Sequence, residues 1–269
     1  MVGIRLSDRF GNHMFQYAFI LNLAKKQNTQ FFLDESRVKF LLVEFFELRS
    51  FNKTKNRFLL LLYKIIRKKT KKKVHHGENI QKNLLTLTDK NCKYVGYFQS
   101  ELFFKENKEL IKDNFKIKKK LLINVRSYFN LSKKPIIAVH IRRTDYINYG
   151  DERLGGINMT LPLSYYYNAF SKIENLDTYQ IIYISDDIEF VKKNLKQKGL
   201  FISNSLIIDF QILLTAEIII TANSSFSWWA AYLSNAKRVL SPKYWLGFKI
   251  NSEYPNSIIP KEWEKIDVY

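Results

Sequence analysis

Two adjacent arginines, Arg142 and Arg143, follow an apolar, β-branched run (135–141, PIIAVHI) within the segment VHIRRTDY, residues 139–146. A guanidinium is a planar fork suited to phosphate oxygens. The end of a buried strand is also where parallel sheets receive ligands. This placement favours an anion site over a purely structural ion pair, in which one arginine would meet Asp145. His140, alone in the apolar run, reads as a packed core histidine.

A second stretch with chemical potential is ITANSSFSWWAAYL, residues 220–233. Small polar residues separate a short strand from a helix expected to open near Ser227. Amides at a helix N-terminus lack intrahelical acceptors, so they and the Ser224 and Ser225 hydroxyls form a natural seat for phosphate. Capping by Ser225 or Ser227 accounts for the same residues and is compatible with it. Trp228 and Trp229 are expected to pack in the core. A third stretch, DRFGN (8–12), joins a strand to a helix; Gly11 permits close backbone approach and Asn12 is a candidate cap. Asp186–Asp187 fits a helix cap better than a metal pair, since no His/Cys cluster accompanies it. GxGxxG, P-loop and GxSxG patterns are absent.

These segments need elements to hold them. Residues 2–6, a helix over 13–26 and a strand over 31–33 make a β–α–β opening, which implies a parallel sheet. Residues 40–73 read as helical and increasingly basic. A strand over 94–98 and a helix from Glu101 follow. After the charged run 116–120 and the segment 130–135, β/α alternation restarts. Strands are expected at 135–141, 180–185, 206–208, 217–221 and 238–241. Helices are expected at 163–173, 188–197, 209–216 and from Ser227. The simplest architecture is two α/β halves, 1–132 and 133–269, with a ligand cleft between them.

The charge balance narrows the partners. With 44 Lys+Arg against 25 Asp+Glu, the 269-residue chain carries a formal charge of +19. Such a surplus favours anionic partners: nucleic acid, acidic lipid or phosphorylated small molecules. Cys92 is the sole cysteine, which excludes an internal disulfide and suits a reducing compartment. No run reaches the ~18–20 apolar residues of a membrane span, and the N-terminus lacks a signal-peptide core; a cytoplasmic location is expected. Two readings stand for 58–73 (FLLLLYKIIRKKTKKK): peripheral contact with an anionic membrane face, or a core-facing helix followed by a solvated basic loop.

DRFGNHMFQYAF (8–19), GYFQSELFF (96–104), HIRRTDY (140–146), ISDDIEFV (184–191), ITANSSFSWWAAYL (220–233) and SPKYW (241–245) together resemble the bacterial α-1,2-fucosyltransferases of glycosyltransferase family 11. The motifs come in that family's order across nearly the whole chain. The resemblance implies a GT-B-like α/β fold of two Rossmann-type halves, the first on the acceptor side and the second binding the donor. It implies inverting transfer from GDP-fucose to a galactose-containing surface glycan, with no cofactor and no metal. Arg142 would hold the β-phosphate, with His140 near the nucleotide, Asp209 at the guanosine, and Asn223, Ser224, Ser225 and Phe226 supporting the diphosphate. Arg143, Gly11 and Asn12 complete the expected donor-binding set, with an ion pair to Asp145 a further role for Arg143. Candidate carboxylates for proton transfer are Asp8, Asp145, Asp151 and Glu152. Asp8, Phe10 and His13 replace the family's Gly, Leu and Gln. Two rival classes remain: a GDP-sugar-binding homologue without transfer activity, and a basic nucleic-acid-binding protein. The second lacks any RNP, KH or zinc-finger signature, and no nucleic-acid partner is expected.

Overall fold

The computed structural model describes residues 1–67, 74–77 and 92–269. The chain divides into two compact units, Met1–Lys120 with Pro255–Ile258, and Leu121–Tyr254 with Ile259–Tyr269. The division falls ahead of the 132/133 boundary expected from sequence. Gln211 ties the intervening segment to the second unit: its side chain accepts from the Ile123 amide (2.9 Å) and donates to the Leu121 carbonyl (3.0 Å).

The first unit contains β1 (Val2–Arg5), α1 (Phe10–Lys26), β2 (Phe31–Asp34), α2 (Lys53–Arg67), β3 (Val74–Gly77), β4 (Cys92–Gly96) and α3 (Lys108–Asn114). Its parallel sheet has the order β2-β1-β4-β3. The α1 helix starts at Phe10 rather than His13. Asp8 takes a left-handed φ of 60°, and the His13 amide then bonds the Arg9 carbonyl at 3.0 Å. Asn12 therefore lies inside the first turn and does not cap it; its Oδ1 accepts from Gln99 (2.7 Å), while Arg9 occupies the N-cap. The helical reading of 40–73 narrows to a single 3₁₀ turn at Leu41–Glu44 and to α2. Residues 68–73 lie outside the described residues. The helix expected from Glu101 is a 3₁₀ turn, Glu101–Phe103, with Ser100 accepting from the Leu102 amide; α3 begins later.

The second unit contains α4 (Val125–Tyr128), β5 (Ile136–Ile141), β6 (Gly150–Asp151), β7 (Gly156–Ile157), α5 (Leu163–Ser171), β8 (Gln180–Ser185), α6 (Ile188–Asn194), β9 (Leu200–Ile202), α7 (Leu206–Thr215), β10 (Ile218–Ile220), α8 (Ser225–Leu233), β11 (Arg238–Pro242) and β12 (Glu264–Ile266). Its main sheet is wholly parallel in the order β12-β11-β10-β5-β8-β9. Every residue of β5 is buried, which explains its unbroken apolar run. Residues 206–208, expected as a strand, instead open α7, where the Asp209 amide bonds the Ser205 carbonyl (3.1 Å); a three-residue apolar run cannot distinguish the two periodicities. Trp228 and Trp229 are fully buried, as expected.

Strand order explains where a ligand belongs. From β5 the chain winds outward through β8 to β9, then returns to the other side of β5 and winds outward through β10, β11 and β12. The reversal lies between β5 and β10, and the loops that follow such a pair of strands are where open parallel sheets bind ligands.

Candidate active site

Parallel pairing sets Val139 of β5 opposite Ile220 of β10. The segments beyond them, 140–146 and 221–226, therefore leave the sheet side by side at the reversal point. Two contacts join them: the Tyr146 hydroxyl donates to the Asn223 carbonyl (3.0 Å), and the His140 ring lies 5.3 Å from that of Phe226. The arginine motif and the serine loop, separated by some eighty residues in sequence, form one surface.

Arg142 is held in place by two carboxylates. Its Nη2 meets Asp145 Oδ1 at 2.7 Å and its Nη1 meets Asp186 Oδ2 at 3.3 Å. Its guanidinium also lies 5.8 Å from the centre of the Tyr146 ring. Of the two arginines that sequence offered to Asp145, Arg142 makes the 2.7 Å pair. Arg143 turns instead to Asp187 (3.2 Å) and lies 3.3 Å above the Phe190 ring. The reason is register: β8 neighbours β5, with Ile141 opposite Ser185, so the acidic pair after β8 falls beside the arginines after β5. Asp187 also caps α6, accepting from the Phe190 amide, as expected. Asp186 accepts from the Arg143 amide (2.9 Å) and the Thr144 hydroxyl. Sequence reading missed its place here; the signal was that two consecutive strands of a βαβ unit tend to be neighbours.

Ser224, rather than Ser225 or Ser227, caps α8 by accepting from the Phe226 amide (3.4 Å). The Ser227 hydroxyl reaches back to the Ala222 and Ser224 carbonyls. Ser225 is the first residue of the helix, which leaves its opening amides at the reversal point of the sheet. Asn223 is buried and donates to the Met159 carbonyl (2.9 Å), tying the loop to the β6–β7 hairpin region.

His140 Nδ1, Asn223 Oδ1 and Asp209 Oδ1 are buried and have no hydrogen-bond partner among the described residues. Phe226 packs 5.5 Å from Phe210, the residue after Asp209. Burial, reinforced by Arg142, lowers the His140 pKa to about 3, so its imidazole is neutral at ordinary pH. Burial raises the Asp209 carboxyl to about 6, only partly offset by the Asn204 amide. Buried polar atoms are mostly matched in native structures, so these three are candidates for contact with a ligand.

The remaining expected residues are placed as follows. Asp151 accepts from the Arg153 amide (2.9 Å) and guanidinium (2.7 Å), which holds its carboxyl below the usual range. Glu152 is exposed in the turn between β6 and β7. Gly11 and Asn12 lie in the first turn of α1, in the first unit. Among the described residues no group of three His, Cys, Asp or Glu side chains is gathered as a metal site.

The model of glycosyl transferase family 11 matches residues 1–267. The chain belongs to that family. It is thus a glycosyltransferase, and the resemblance read from its motifs holds at family level. Among family members in Escherichia coli, the O-antigen biosynthesis glycosyltransferase WbnK is 28% identical, over 89% of this chain and 93% of its own length. The alpha-1,2-colitosyltransferase is 27% identical over 99% of both chains. Solved structures show the same fold: NodZ alpha-1,6-fucosyltransferase soaked with GDP-fucose superposes with a TM-score of 0.55 at 14% identity, over 88% of this chain and 93% of that one. POFUT1 in complex with GDP gives 0.52 at 12% identity, over 89% and 96%. The family 11 chain is therefore GT-B-like, with a Rossmann-type sheet in the second unit and a smaller parallel α/β sheet in the first.

Proposed function

We propose that this family 11 enzyme transfers L-fucose from GDP-fucose, with inversion, to a galactoside hydroxyl of a surface glycan, forming an α-1,2 linkage. One observation supports the donor assignment: the loop carrying Arg142 and the N-terminus of α8 follow the neighbouring strands β5 and β10 at the strand-order reversal of a six-stranded Rossmann-type sheet. The fold shared with fucosyltransferases that hold GDP or GDP-fucose supports a GDP-sugar donor. The name of WbnK supports assembly of a surface polysaccharide.

In this reading the acceptor hydroxyl oxygen bonds to the anomeric carbon on the face opposite the diphosphate. The bond from that carbon to the β-phosphate oxygen breaks, and its electron pair leaves with GDP. Arg142, preset by Asp145 and Asp186, offers its remaining N–H groups to the phosphate. The Ser225 and Ser227 amides and the Ser224 and Ser225 hydroxyls complete the seat, stabilising charge that grows only as the bond breaks. His140 and Asn223 border the nucleotide, and Asp209 accepts from guanine N–H donors. Arg143 braces the site through Asp187 and Phe190. Asp145 is paired with Arg142, and Arg153 holds the Asp151 carboxyl below the usual range; this reading assigns neither as the base, and the hydroxyl proton passes to solvent while leaving-group stabilisation lowers the barrier. The reading assigns no metal.

Arg142→Ala is expected to lower turnover by on the order of 10²–10³ while the protein remains folded; near-normal transfer by a folded variant sinks the assignment. Treatment with EDTA is expected to leave turnover unchanged. A second reading keeps this site and changes the sugar, because the family member matching 99% of both chains is a colitosyltransferase. A donor screen with GDP-fucose and GDP-colitose, with product linkage read by NMR, separates the two.

A further inference from the structure

The α2 helix (Lys53–Arg67) has two apolar faces, one packed on edge strand β2 and the other exposed among the described residues. On the inner face, Asn56 accepts from the Leu33 amide (2.7 Å) and donates to the Leu33 carbonyl (3.1 Å), fixing the helix to edge strand β2. Leu59 and Tyr63 continue that face and pack on Phe32. At 100° per residue, positions 56, 59 and 63 form one stripe, and positions 58, 61 and 65 lie on roughly the opposite side. Those positions are Phe58, Leu61 and Ile65, which are 63%, 59% and 54% exposed. Anchoring by Asn56 leaves the helix no freedom to roll them inward.

The surrounding charge has one sign. Between Lys53 and Lys73 the sequence has ten Lys or Arg and no Asp or Glu. Lys53, Lys55, Arg57 and Lys64 are exposed on the helix. An aromatic and two aliphatic side chains in a basic surround gain little from nucleic acid, whose phosphates reward the cations alone. At a lipid interface both parts gain: the apolar side chains enter the acyl boundary while Lys and Arg meet anionic headgroups. Among the described residues no helix is long and apolar enough to cross a membrane, so contact of this kind is peripheral.

We propose that the outward face of α2, with Phe58, Leu61 and Ile65 as its apolar stripe, docks the enzyme on an anionic phospholipid surface. The helix lies in the plane of the interface. This site is separate from the donor site and stands whether or not the donor is GDP-fucose.

The test is cosedimentation of the full chain with phosphatidylcholine vesicles, with and without phosphatidylglycerol, at physiological salt. The wild type is expected to pellet with the mixed vesicles and to stay in solution with phosphatidylcholine alone. The triple variant Phe58→Ser, Leu61→Ser, Ile65→Ser is expected to bind at least about tenfold more weakly, with unchanged circular dichroism and GDP affinity. A Leu61→Trp variant reports the same contact without removing it, through a blue shift of its tryptophan emission on mixed vesicles. The proposal is overturned if the wild type stays in solution, if it pellets equally with neutral vesicles, if the triple variant pellets like the wild type, or if the emission of the Leu61→Trp variant does not move.

Discussion

At the scale of single residues, Asp209 is the group whose protonation the donor site should register. Its carboxyl is raised to about 6 by burial, and its Oδ1 has no protein partner among the described residues. In the proposed reading it accepts from guanine N–H groups as a carboxylate, and protonation turns one of its two acceptor oxygens into a donor. Affinity for GDP is therefore expected to fall as pH drops through 6, by about tenfold one pH unit below the midpoint. The terminal phosphate of GDP titrates in the same range, so Asp209→Asn is the needed control. It should bind more weakly at pH 7 and keep only the phosphate's own pH dependence, as read by calorimetry. Parallel curves for the two proteins would remove Asp209 from the nucleotide contact. The raised value also has a structural meaning: an ionised Asp209 costs stability without its ligand, and that cost disappears as pH falls from above 6 toward 3.8.

At the scale of elements, the turn into α1 depends on a residue with an unusual backbone. Asp8 adopts a φ of 60°, in the left-handed region that glycine enters freely and aspartate enters at moderate cost. Its family counterpart, by the motif resemblance, is glycine. Asp8→Gly is expected to keep the fold and raise stability by up to about 1 kcal/mol, and Asp8→Val to lower it by about 1–2 kcal/mol, measured by urea denaturation. Downstream, the buried Gln16 fixes the two loops that leave β1 and β4. Its amide donates to Ser7 Oγ (2.8 Å) and the Gly96 carbonyl (3.0 Å), and its Oε1 accepts from the Ser7 amide. Gln16→Leu leaves those groups unmatched and should cost about 2–3 kcal/mol.

At the scale of the whole molecule, two buried histidines make the fold acid-sensitive. Burial lowers His13 to about 4, against a smaller opposing effect of Asp8, and His140 to about 3. Below pH 6.5 the unfolded chain takes up protons that the folded chain refuses, so stability falls through that window until the folded values are reached. Each histidine contributes on the order of 2 kcal/mol of loss between pH 7 and pH 5, and Asp209 opposes only a part. Thermal midpoints should decline across this range, and His13→Gln should reduce the decline; identical pH profiles would show that His13 is not the cause. How far all this was legible beforehand depends on the kind of signal. The motifs around Arg142 and Ser224 marked a candidate phosphate site and a family, and the apolar runs of β5, β8 and β10 marked a parallel α/β fold, because buried strands and anion seats demand particular residues locally. The partner of Arg142, the capping role of Ser224 and the helical state of 206–208 were settled by strand order, register and packing. Those depend on which segments become neighbours, and chain folding alone decides that. The same holds for α2: sequence showed an apolar, basic helix, but the bonds of Asn56 to edge strand β2 and the packing of Leu59 and Tyr63 on Phe32 determined which face remained outside.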